Sequence, residues 1–161
     1  MKLRRLLTLK VTTWLTTMLL LLSTSCSQPQ SDTTLILPSE QSSSSLDSLL
    51  TPIASMTTHF NNKDSGVVVT VKGNVTRLLS NDTIGDWHQR FIIRMSNAQT
   101  LLIAHNIDIA PPVSGISQNS LVYVHGEYVW NSEGGLVHWT HHDPQLKHEN
   151  GWIWFNNKKY E

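Results

Sequence analysis

The chain has a single cysteine, Cys26, in 161 residues. No internal disulfide can form, so a domain of this size must be held by burial of apolar surface. A dominant charge is also missing, with 12 basic residues against 12 acidic. Four of the basic residues, Lys2, Arg4, Arg5 and Lys10, lie at the very start, and without them 8 basic face 12 acidic, a formal −4. That leaves no broad positive footprint and argues against long duplex nucleic acid as a partner. The third absence is a long apolar run. The strongest block is Met18–Leu22, and even Val11–Leu22, diluted by threonine, falls short of the roughly 20 residues a spanning helix needs.

What stands at the start instead is a basic cluster, an apolar stretch and a run of small residues, MKLRRLLTLKVTTWLTTMLLLLSTSC. This is the layout of a secretory signal over residues 1–26. The junction Leu22-Ser23-Thr24-Ser25-Cys26 resembles a lipoprotein processing box, with the leucine one position further from the cysteine than usual. The resemblance implies lipidation of Cys26 and, with Ser27 following in place of an aspartate, the periplasmic face of the outer membrane. The alternative is an ordinary cleaved signal and a soluble periplasmic or secreted protein. A lipidated N-terminus would make the membrane a partner, at about 0.8 kcal/mol per buried methylene. Residues 27–65, rich in Ser and Thr, read as a disordered tether. Within it Leu46, Leu49, Leu50, Ile53 and Met56 outline a short helix that Pro52 keeps from growing long.

From Gly66 the texture changes. Val67, Val69, Val71 and Val75 alternate with Thr70, Lys72, Asn74 and Thr76, the period of a half-buried strand, and Gly73 falls on the inward side where a bend fits. Further strands are expected over residues 88–96, 99–106, 120–131 and 136–142, and the tail reads as a short strand, a turn at Asn156-Asn157 and a polar stretch. In the second of these, Phe91, Ile93 and Met95 share one face. Five strands with a long first one point to a mostly β domain over residues 66–161: a small five-stranded, OB-like Greek-key barrel, with a small β-sandwich as the alternative.

Seven of the eight histidines lie between His88 and His148. The densest stretch is HWTHHDPQLKH, residues 138–148. On a straight strand His138 and His142 would stand about 13 Å apart, at roughly 3.3 Å per residue, too far to share one ion. Any site must therefore draw on neighbouring strands or on the following loop. Three kinds of site fit. A divalent metal such as zinc would take imidazoles from His105, His138 and His142. Acid–base chemistry would use His138, His141, Asp143 and Glu127. Binding of a small molecule, sugar or short oligomer would use His88, Arg90, Asn106, Trp130 and Trp139. Hydrogen-bonded histidines with only a structural role are the plain alternative.

The strings HQRFII (88–93), LLIAHNIDIAPP (101–112), VHGEYVWN (124–131), GGLVHWTHHDP (134–144) and GWIWFNNKKY (151–160) resemble, in order, an uncharacterised bacterial family, domain of unknown function 3465. The resemblance covers about residues 66–161. It implies a small exported or anchored bacterial protein and no particular activity. Pro112 stands where the family pattern has a basic residue, and Asn119-Ser120 where it has Gly-Asp. The first departure weakens any expectation of an anion-binding loop. Ligand binding through a His/Trp-rich face is the leading expectation. A metal-dependent hydrolase, acting on a phosphodiester for example, and a structural envelope protein are the alternatives.

Overall fold

The alternating valines form a strand, β1 (Ser65–Leu78), with Val69, Val71 and Val75 buried and Val67 packed partly against the same core. The computed structural model describes residues 38–161, so the signal segment, Cys26 and the first part of the tether lie outside the described residues. Gly73 sits where β1 changes partners. A Cβ there would come 2.8 Å from the carbonyl oxygen of Arg94, so the bend requires the missing side chain. A register shift between Val75 and Arg77 adds to the turn of the strand.

The strands that follow are β2 (His88–Arg94), β3 (Thr100–Asn106), β4 (Leu121–Val129), β5 (Leu136–His138), β6 (Trp152–Phe155) and β7 (Lys158–Tyr160). Their order is β1-β2-β3-β5-β4, and β4 pairs back onto β1. That closure makes a five-stranded barrel and rules out the sandwich. The barrel is mixed, because β3 and β5 run parallel at Leu102↔Leu136 and Ile103↔Val137. Phe91, Ile93 and Met95 point inward as their spacing predicts, joined by Leu101, Ile103, Val122, Val124, Tyr128, Val137 and Ile153.

Two segments differ from the expectation. The fifth strand ends at His138, not at residue 142, because Trp139 takes a left-handed backbone (φ 49) that no extended strand continues through. The tail folds into a hairpin, β6 and β7, around Asn156 and Asn157, both at positive φ as a tight type I′ turn requires. It extends the sheet from β4.

Residues 38–62, read from sequence as part of the tether, carry two helices, α1 (Pro38–Asp47) and α2 (Ile53–Asn62). Pro52 stands just before α2, where its missing N–H costs nothing. Met56 of α2 is fully buried in the barrel core. The connection between the helices is pinned to β1: Thr51 N–H donates to the Thr70 carbonyl at 2.8 Å, and Thr70 N–H to Thr51 Oγ1 at 3.0 Å. At the end of α1, Asp47 accepts from Lys72 Nζ and Tyr123 Oη, each at 2.9 Å. A lone apolar stripe in a polar segment thus finds its partner in the barrel. Among the described residues no helix is long and apolar enough to cross a membrane.

Candidate functional site

β5 and β6 lie on the same edge of β4 and run in the same direction. Glu127 faces His138 and His125 faces Trp152, leaving only Gly126 between the two pairings. The two strands are therefore one strand interrupted by an excursion, residues 139–151. Two glycines permit it. A Cβ on Gly126 would collide with the His138 carbonyl, and one on Gly151 with the Trp139 carbonyl. The neck is closed by Gly151 N–H donating to the His141 carbonyl at 2.9 Å.

Asp143 organises the excursion. Its Oδ1 accepts from Gln145 N–H at 2.8 Å, and its Oδ2 from His148 N–H at 2.7 Å and from Lys147 N–H. Asn150 Oδ1 accepts from the Asp143 N–H at 2.8 Å. Burial works against the charged carboxylate, but these three N–H groups outweigh it and hold the Asp143 pKa below its ordinary value. Both oxygens are thus engaged within the loop.

The loop closes one side of a cleft of about 280 Å³. His88 and Asn106, partners across β2 and β3, line the barrel side, and His138, Trp139, His141 and His148 the other. Asp86 and Ile109 form its rim. Trp139 lies nearly parallel to two imidazoles, with ring centroids 4.6 Å from both His138 and His148. It remains 37% exposed. His141 meets His148 edge to face, with ring centroids 5.1 Å apart.

The expected site residues separate into groups. His88, Asn106, His138, Trp139, His141 and Asp143 meet at this cleft. Glu127 stands behind it, 3.4 Å from His138 Nε2. His105 lies beneath, fully buried, with Nδ1 2.8 Å from Thr140 Oγ1 and Nε2 3.2 Å from the Pro111 carbonyl. Burial pulls its pKa down to about 4, against the opposing pull of the Pro111 carbonyl. Arg90 turns away and donates to the Ser80 carbonyl at 3.0 and 3.1 Å, tying down the β1–β2 loop. Trp130 lies elsewhere, against Phe60 and Lys63 at the C-terminal end of α2. His142 is exposed. His105, His138 and His142 are not gathered into a ligand set, and no group of three or more His, Cys, Asp or Glu among the described residues is placed to hold a metal ion.

The reading from sequence gives no role to Asp86, Ile109 or His148. His148 carries a signal in its place in the histidine-dense stretch. The other two carry none. A larger cleft, about 400 Å³, opens between the α1–α2 connection and β1, but its lining holds no histidine or acid.

The chain belongs to the family described as "Protein of unknown function (DUF3465)", whose model matches residues 41–161. The match begins within α1 and takes in all of α2, as expected if the helix that buries Met56 is part of the domain. A comparison with curated proteins finds no match.

Proposed function

We propose that the protein is an exported, membrane-tethered binding domain that takes a small or oligomeric ligand in the His/Trp cleft. The observation that carries this reading is the cost of building the cleft. A strand is broken in its middle, a tryptophan is held at positive φ, and a buried aspartate is spent on three backbone N–H groups, all to place aromatic and imidazole rings around an opening. Such departures from regular structure concentrate at sites of function.

The strand order and the long bent first strand support an OB-like assignment, and in such barrels the loop after the first strand commonly borders the ligand. Here that loop supplies Asp86. The lining carries no excess of cations. It suits a neutral polar ring better than a polyanion, so a sugar or a short oligomer is favoured. Lipidation of Cys26 at the outer membrane would hold the domain at the periplasmic face, and residues 27–37 would remain as the tether. The hydrolytic reading rests on the His138–Glu127 pair alone and stands second.

The test is an NMR titration of the full chain with tri-N-acetylglucosamine and, separately, with hexathymidylate, following the Trp139 indole N–H. Binding should shift Trp139 together with amides of His88, Asn106 and residues 145–148, and Trp139→Ala should weaken it by about 1–3 kcal/mol. Shifts confined to the 400 Å³ cleft or to Trp130 would overturn the assignment.

A further inference from the structure

The larger cleft, about 400 Å³, shares no lining residue with the His/Trp cleft. It is a trough over a short edge of β1 that no strand covers. Thr70 N–H donates to Thr51 Oγ1, and the Thr70 carbonyl accepts from Thr51 N–H. Val75, of the other parity, turns its N–H and carbonyl to Ser120 and Asn119 on the β4 side. By the alternation of a strand, the backbone of Lys72 faces the same way as that of Thr70. Yet β2 reaches β1 only from Asn74↔Arg94 onward. The Lys72 N–H and carbonyl therefore open into the trough between Thr51 and Arg94, with no strand beside them. A backbone N–H in that position must be met by water or by a ligand.

The walls are apolar. Leu50, Pro52 and Ile53 stand on the helical side, Met95 and Leu121 on the barrel side. Ile53 and Leu121 are large apolar side chains left 37% and 45% exposed. The charge is of one sign, because the lining holds Lys72 and Arg94 and no acid. The two cations differ in what they can offer. Lys72 Nζ is already taken by Asp47 at 2.9 Å and lies over the Tyr123 ring. The Arg94 side chain has no hydrogen bond, ion pair or ring contact among the described residues.

We infer that the trough binds a free fatty carboxylate, its chain on the apolar walls and its head group on the Arg94 guanidinium and the Lys72 N–H. Charge and shape choose this occupant. A neutral chain leaves the guanidinium unmet, a cationic head group is repelled by it, and a hydrophilic anion makes no use of the walls. The paired N–H groups of a guanidinium match the two oxygens of a carboxylate. The volume falls within the roughly 300–1,000 Å³ usual for small-ligand sites. The Lys72 carbonyl is left to solvent.

The probe is decanoate, kept below its micelle concentration, added to the full chain and followed by calorimetry and amide NMR. One equivalent should bind, shifting the amides of Ile53, Lys72, Gly73 and Met95. Octanoate, with two fewer buried methylenes, should bind about tenfold more weakly. Arg94→Gln should weaken decanoate by about tenfold or more and leave decanol unchanged, since a charge-assisted bond is lost only with the acid. Leu121→Glu, at an exposed position, should abolish decanoate binding while the barrel stays folded. Four results overturn the inference: no saturable binding, equal affinity for decanoate and decanol, binding indifferent to Arg94→Gln, or shifts produced only by vesicles of anionic phospholipid. None of these touches the His/Trp cleft, which is read separately at Trp139.

Discussion

His105 makes the stability of the barrel depend on pH in a calculable way. It is fully buried, its Nε2 faces a carbonyl that can only accept, and its Nδ1 therefore takes the proton of the Thr140 hydroxyl. That arrangement holds the ring neutral. In the unfolded chain the ring titrates near 6.5, whereas burial lowers it to about 4 in the folded state. Between these values the unfolded chain binds a proton that the folded one refuses, so stability falls as pH falls through this window. It is fully present above about pH 6.5 and levels off below about pH 4. At about 1.4 kcal/mol per pH unit, the window is worth about 3 kcal/mol. The perturbation is His105→Gln, which can donate to the Pro111 carbonyl and accept from Thr140 but has no proton to gain. The assay is urea unfolding of both proteins between pH 7.5 and about 4, in chelator. Wild type should lose about 3 kcal/mol more than the variant across the window. Equal pH slopes for the two proteins would refute the reasoning.

Other consequences of the structure are open to test. Met56→Ala should cost about 2–5 kcal/mol in denaturant unfolding if α2 is integral to the core; a change within experimental error would return residues 53–62 to the tether. Asp143→Ala strands three backbone donors, so it should lower stability by about 1–3 kcal/mol and speed amide exchange at Gln145, Lys147 and His148 with little change in β1–β3. Gly126→Ala drives a methyl into the His138 carbonyl and should cost at least about 1–3 kcal/mol, with loss of the Trp139 ring-current shifts on His148. Unchanged shifts there would show that the strand can switch partners without glycine.

Much of the barrel is written in local periodicity. The valines of β1 and the Phe91–Ile93–Met95 face announce their burial two residues at a time, and Asn156-Asn157 announces a turn, though not the strand β7 that follows it. What periodicity cannot carry is which ends of strands meet. Trp130 and Trp139 follow strands of similar composition, yet one lies by α2 and the other in the cleft. Arg90 alternates outward as expected, but its role is decided by the distant Ser80 carbonyl. The broken β5–β6 strand is hidden for a further reason. Gly126 and Gly151 look like ordinary turn or strand glycines until the backbone that crosses them is in place. The apolar spacing around Ile53 and Met56 hints at a short helix but not at its docking on the barrel, because one buried methionine, not a full apolar face, fastens α2.

The cleft works as a site only if the excursion 139–151 is rigid before any ligand arrives. Amide hydrogen exchange on the full, ligand-free chain measures this directly. The N–H groups of Gln145, His148 and Gly151, bonded to Asp143 and to the His141 carbonyl, should exchange nearly as slowly as those of β4. Exchange at the rate of an unstructured peptide, with the barrel still protected, would contradict the account.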